Sequence, residues 1–201
     1  MAFWAKNFGE DTTLKDPKRN FRFIVEFSGL RGSDGPLLWF AKTAAKPSFT
    51  IAAAEHKYLN HTFYYPGSVT WNTISISLVD PVVPDVAATV ADFIVQGGYT
   101  PPSTPNSLTT MSKAKAAGSM GTVTIKQLDA AGMILEEWTL WNSWITDVKF
   151  GDTLEYGSDE LSTIDIELKY DWARLEAYTD GSVGPSMGGK TFFDTRTIPG
   201  S

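Results

Sequence analysis

From Phe21 onward the chain alternates strictly. Phe21, Phe23, Val25 and Phe27 fall on one side, and Arg22, Ile24, Glu26 and Ser28 on the other. That period of two predicts a strand with one apolar face. GLRGSDGP supplies a turn and LLWFAKTAA a second strand, and after Lys46-Pro47 a mixed loop leads into HKYLNHTFYY. Pro66-Gly67 then separates this β-rich run from SVTWNTISISLVD and predicts the turn of a long antiparallel hairpin. In its second arm Ile74, Ile76 and Leu78 share one face, with Ser75 and Ser77 on the other. In PDVAATVADFIVQGG the period changes: Asp85 can cap, Val86, Val90, Phe93 and Ile94 recur at helical spacing, and Gly97-Gly98 ends the run. This predicts one helix, about 85–96.

Residues 98–121 are rich in Pro, Ser, Thr and Gly and predict a long loop, ordered by a partner if at all. Strands resume with GTVTIKQLD and MILEEWTLWNSWITDVKF. The last is STIDIELKYDW, in which Ile164, Ile166, Leu168, Tyr170 and Trp172 alternate with Asp165, Glu167, Lys169 and Asp171. The expected fold is mainly β, a barrel or sandwich of antiparallel strands with one flanking helix. The expected organisation is an N-terminal arm over 1–20, a β domain over 21–173 and a C-terminal extension over 174–201.

The 201 residues suffice for one domain, and a net charge of -6 argues against gripping nucleic acid by phosphate neutralisation. Cysteine is absent, which excludes disulfides, thiolate metal sites and Cys nucleophiles. Neither a secretory leader nor a run of about 18 apolar residues is visible, so the expectation is a protein made in the cytoplasm, without membrane insertion. The 7 Trp, 7 Tyr and 12 Phe against only 20% charged residues point toward oligomerisation.

Candidate chemistry is sparse. GPSMGGKT, Gly184 through Thr191, satisfies the phosphate-loop pattern, but such a loop needs a strand before it and a helix after it. TFFDTRTIPGS is too short and Pro-limited for that helix, so the segment reads as a flexible Gly-rich tail. His56 and His61, five apart within one presumed strand, are expected on opposite faces and unable to share a metal. Asp165 and Glu167 share a strand face about 7 Å apart, a spacing glycosidases use, but a solvated strand face is by far the commoner cause of such a pair. No catalytic, metal-binding or cofactor-binding residue is assigned, and no enzyme or cofactor is expected.

The order of NFRFIVEF, WFAKTAAKPSF, the hairpin KYLNHTFYYPGSVTWNTISISLVD, a helix, GTVTIKQLD and ITDVKFGDTLEYGSDELSTIDIELKYDW resembles the tail tube protein family of contractile-tailed bacteriophages, over about residues 20–173. The resemblance implies a fold shared with type VI secretion tubes. It further implies a structural virion protein whose hexameric rings join their strands into one barrel and stack into the tube that conducts DNA into the host. The implied partners are other copies of the chain, the tail sheath, the tape measure, and baseplate and terminator proteins, with DNA transiting the lumen without specific binding. The implied location is the virion tail, assembled in the host cytoplasm.

On that basis Asp165 and Glu167 are candidate lumen-facing acids. Phe3, Trp4 and Phe8 of the arm, with Ser48, Phe49, Ile51, Glu55 and Lys57 after Pro47, are candidate inter-ring contacts. The segment beyond Trp172 exceeds the family pattern, and its Phe192 and Phe193 are candidate contacts to an adjacent subunit or the sheath. Other readings are the tube of a type VI-like or other contractile injection system, a non-contractile tail tube, a nucleotide hydrolase and a carbohydrate-binding sandwich.

Overall fold

The computed structural model describes residues 18–29, 41–83, 85–102, 110–157, 159–178 and 190–193. The predicted strand at Phe21 forms as β1 (Phe23–Phe27), and LLWFAKTAA leaves β2 (Ala41–Ala44) within the described residues. β3 (Phe49–Tyr58) and β4 (His61–Trp71) make a separate two-stranded ribbon, and β5 (Ile74–Val79) returns to the body. Two helices, α1 (Val86–Gln96) and α2 (Lys113–Met120), precede β6 (Val123–Leu128), β7 (Ile134–Trp141), β8 (Trp144–Lys149), β9 (Thr163–Lys169), β10 (Trp172–Ala177) and β11 (Lys190–Phe192).

The strands form a five-stranded sheet ordered β1-β6-β7-β10-β11 and a four-stranded sheet ordered β2-β5-β9-β8, antiparallel throughout. The inner faces follow from alternation. In the five-stranded sheet Phe27, Val123, Leu140 and Ala173 form one cross-strand row and Val25, Ile125, Trp138 and Leu175 the next. Ile74, Ile76 and Leu78 oppose Leu168, Ile166 and Ile164 in the other sheet. Apart from Leu175, these side chains, with Val86, Val90 and Met120 from the helices, make one continuous core.

Helix α1 begins where the sequence predicts: the Asp85 carboxylate accepts from the Ala88 N–H at 2.9 Å, and Gly97 N–H donates to Phe93 O at the other end. Helix α2 corrects the loop expected over 98–121. Ser112 caps it by accepting from Lys115 N–H, and only Ala116 and Met120 are buried. So thin an apolar face leaves no readable period in KAKAAGSM.

Three further expectations are corrected. The hairpin turn is Leu59-Asn60, with Leu59 at φ +52°, not Pro66-Gly67. Pro66 and Gly67 lie inside β4, at the point where the register between β3 and β4 shifts; a Cβ on Gly67 would come within 3.0 Å of Ala52 O. Proline is tolerated there because both strands of a two-stranded ribbon are edges. The runs MILEEWTLWNSWITDVKF and STIDIELKYDW each break and change sheet, at Asn142-Ser143 and at Tyr170-Asp171. Asp171 holds both corners: its N–H donates to Trp141 O at 3.1 Å, and its carboxylate accepts from Asn142 Nδ2 at 2.8 Å and from Lys113 Nζ at 2.7 Å. Finally, the extension expected over 174–201 contributes β10 and β11 to the larger sheet, with Leu175 opposite Phe192.

Candidate assembly surfaces

The four-stranded sheet turns a polar face outward. Strand β9 buries Ile164, Ile166 and Leu168, which turns Asp165 and Glu167 outward. Across the sheet, Glu167 lies opposite Ser75 on one side and Asp147 on the other, while Asp165 lies opposite Ser77 and Lys149. With Lys169 further along β9, the result is a polar face with three carboxylates, Asp147, Asp165 and Glu167, and two ammonium groups, Lys149 and Lys169. Lys149 pairs with Asp152, which raises its pKa, and Asp165 adds to the effect. Among the described strands β2 and β8 each have one neighbour, so both outer edges of this sheet present unpaired backbone groups.

The hairpin is the second surface. Strands of 10 and 11 residues extend about 33 Å at the usual rise, and nearly every residue in them is exposed. Ser48, Phe49, Ile51, Glu55 and Lys57, expected in a loop, lie at the start of β3 and along it. Cross-strand register places Phe49 and Trp71, Ile51 and Val69, then Ala53 and Pro66 on one face of the base, while toward the tip that face carries Glu55 opposite Tyr64 and Lys57 opposite Thr62. The opposite face is reversed: Thr50 and Thr70 lie at the base, and Tyr65, Phe63, His56, Tyr58 and His61 gather toward the tip. His56 and His61 therefore share a face, correcting the expected divergence, because the turn falls between them. His61 stacks edge-on against Phe63 at 4.7 Å.

The hairpin base is held by its own chain. Phe193 packs edge-on against Phe49 at 5.8 Å and Trp71 at 5.7 Å, and Lys169 Nζ donates to Trp71 O at 2.8 Å. Phe193 thus has an intrachain seat, and Phe192 is part of β11. Phe3, Trp4 and Phe8 lie outside the described residues.

Close to where β2 leads into β3, Glu136 anchors a polar cluster in the interior. Its carboxylate accepts from Lys18 Nζ, from Lys46 Nζ at 2.8 Å and from Trp138 Nε1 at 2.6 Å, and Lys46 also donates to Gln127 at 2.6 Å. Burial alone pushes the carboxyl up, but the two ammonium groups and the indole N–H outweigh it and hold the pKa at about 2. On the outer face of the larger sheet the Tyr178 hydroxyl donates to Glu137 and Glu176, and burial together with these carboxylates pushes its pKa up.

Lys190 and Thr191 of the phosphate-loop pattern belong to β11, in place of the helix such a loop requires. Among the described residues no group of three or more His, Asp or Glu converges as metal ligands. Among the described residues no helix is long and apolar enough to cross a membrane. Sequence reading missed the aromatic tip of the hairpin. The signal was the density of rings in HKYLNHTFYY, disguised by the misplaced turn.

The fold is the one shared by tube and terminator proteins of contractile injection systems. The chain superposes on the anti-feeding prophage cap, described as tube-terminating, with a TM-score of 0.60 at 17% identity over 89% of this chain and 100% of that one. It matches a chain of the sheath/tube terminator of an extracellular contractile injection system, PVC, with a TM-score of 0.59 at 16% identity, covering 81% and 99%. A chain of the sheath-tube complex of the same system gives 0.58 at 16% identity, covering 81% and 93%. No protein-family model and no curated protein sequence matches the chain.

Proposed function

We propose that this protein is a structural tube subunit of a contractile tail, whose copies close into a ring and whose rings stack into a conduit. The observation that carries the reading is the four-stranded sheet whose two outer strands, β2 and β8, have no further strand beside them among the described residues. Because the strand number is even and the order antiparallel, β2 runs opposite to β8. Rotating one copy about a ring axis therefore brings its β2 beside the β8 of the next in antiparallel sense. Six such copies, the number implied by the resemblance to tail tube proteins, give one closed sheet without edges.

In that ring the polar outer face, with Asp165 and Glu167, lines the channel. Negative charge there repels the phosphate backbone of a passing duplex and keeps it from adhering. The genome conduit of a phage virion is the specific form of the proposal, with sheath, tape measure, baseplate and terminator as partners and no enzymatic step. The structural neighbours support a tube role with a sheath outside it. They equally include terminators, so a subunit that caps the tube is the second reading.

Negative-stain electron microscopy of the purified protein across a concentration series distinguishes these outcomes. Stacked rings with six-fold end views support the tube subunit, single rings that never stack support the terminator, and a monomer at every concentration refutes both.

A further inference from the structure

Among the described residues β3 and β4 pair with each other and with no other strand, so the direction of the hairpin is decided at its root. Two short connections reach it, residues 45–48 from β2 and residues 72–73 into β5. Asn72 joins them to each other: its N–H donates to Ser48 O at 2.9 Å and its Nδ2 to Ser48 Oγ at 3.0 Å. Lys169 Nζ joins Trp71 O to the end of β9. Bonds confined to the root keep the connections together but leave a long two-stranded ribbon free to tilt.

A row of rings opposes that tilt. Tyr170, 3% exposed, lies 5.8 Å from Trp71, and Trp71 lies 5.0 Å from Phe49. Phe193 meets both arms of the ribbon, 5.7 Å from Trp71 and 5.8 Å from Phe49, within the range at which aromatic pairs attract. Trp71 is thereby held between a ring of the body and a ring from just beyond β11.

The Phe193 seat is built to be weak. Strand β11 pairs through only three residues, and the pairing ends at Phe192. Phe193 is half exposed, and its φ of +61° is a left-handed conformation that a bulky side chain rarely adopts. A short, half-exposed and strained segment opens at a lower free energy than the core beneath it.

We propose that Phe193 is a positioning residue for the hairpin, a latch that holds the ribbon in one direction and whose release lets it tilt without unfolding the core. Beyond its root the ribbon exposes Tyr58, Leu59, Phe63 and Tyr65 without cover from its own chain. Holding them in one direction before a second copy arrives lowers the ordering cost of joining. That consequence rests on the tube reading above, whereas the latch is a property of the single subunit.

The absence of cysteine permits a direct test. Double electron–electron resonance on the dispersed subunit reads the distance between nitroxides at Asn60→Cys in the hairpin turn and Ala130→Cys in the exposed turn after β6. One narrow distance is expected with Phe193 and with Phe193→Tyr, which keeps the ring. Phe193→Ala is expected to broaden the distribution roughly twofold, because the ribbon then tilts about its root. Thermal unfolding should be the same in all three, since Phe193 lies outside the core cluster. Hydrogen exchange in a urea series is expected to show the bonded amides of β11 opening without global unfolding. A distribution equally narrow in Phe193→Ala, or equally broad in Phe193→Tyr, overturns the positioning role. Broadening accompanied by a lowered Tm overturns it too, by assigning Phe193 to general stability. Amides of β11 that exchange only through global unfolding overturn the release. All are read on dispersed protein, so they are distinct from a failure of the tube reading, which a monomer at every concentration in electron microscopy refutes by itself.

Discussion

Replacing Glu136 by Gln tests whether the buried cluster under the hairpin root is electrostatic in origin. The substitution retains an acceptor for Trp138 and keeps the volume, so it removes mainly the charge. The carboxyl pKa falls from 4.5 to about 2 in the folded state, and each unit corresponds to about 1.4 kcal/mol. The full shift therefore corresponds to about 3.5 kcal/mol. Glu136 has a side-chain exposure of 11%, but Lys18 and Lys46 are about half exposed at 51% and 48%. Solvent screening at the ammonium groups reduces the expected contribution to about 2 kcal/mol.

The sign fixes the pH window. A carboxyl whose folded pKa is depressed stabilises the fold above its unfolded pKa, and that stability is lost as pH falls from about 4.5 toward 2. Urea unfolding of the dispersed subunit followed by tryptophan fluorescence gives both quantities. At pH 7, Glu136→Gln is expected to lower the unfolding free energy by about 2 kcal/mol. Between pH 5 and 2.5 the wild type is expected to lose that advantage until the two proteins converge. A variant within 0.5 kcal/mol of wild type at pH 7, or one that keeps the wild-type acid limb, refutes the assignment.

In the core, Ile166→Ala should cost about 2–5 kcal/mol, because Ile166 is 2% exposed at the centre of the apolar row of β9; thermal unfolding measures it. Gly121→Ala should destabilise by more than 1 kcal/mol, since φ is +67° and a Cβ would lie 2.6 Å from Ser28 Oγ and 2.7 Å from Gly29 N. Gly118→Ala should instead stabilise the dispersed subunit by about 1 kcal/mol, because α2 leaves open space where that Cβ would sit; the same denaturation assay separates the two glycines. Asp165→Lys with Glu167→Lys should leave ring formation intact and slow DNA passage, read as genome-ejection kinetics; unchanged kinetics count against a lumenal position for these acids.

Legibility of the sequence tracked how completely one face of each element is buried. The strand around Ile164, Ile166 and Leu168 was readable because its apolar face lies wholly in the core while Asp165 and Glu167 face out. Helix α1 was readable because Val86, Val90 and Phe93 are buried at helical spacing behind an Asp cap. The hairpin was not, because its apolar side chains change face midway. Their pattern fits neither a one-sided strand nor a loop, so Pro66-Gly67 offered the more familiar turn. The outward acids and the resemblance to tube proteins were visible early.

The two corners explain why a chain with continuous apolar alternation does not build one long sheet. At Tyr170 the side chain that continues the inward row of β9 still packs in the core, and Trp172 then pairs with Trp141 across the neighbouring sheet. The inward phase therefore shifts at the corner, from Tyr170 to Ala173, as the hydrogen-bonding partner changes, and a period of two read along the sequence conceals that shift. The change is enforced by polar groups: Asp171 binds the backbone of Trp141, the side chain of Asn142 and the first residue of α2. Asn142 adopts φ +52°, a conformation Asn tolerates better than most residues. Splitting both runs ends the smaller sheet at four strands, so that β2 and β8 become its edges. A single longer sheet would pair those edges within the chain and remove the surface through which one copy can join the next.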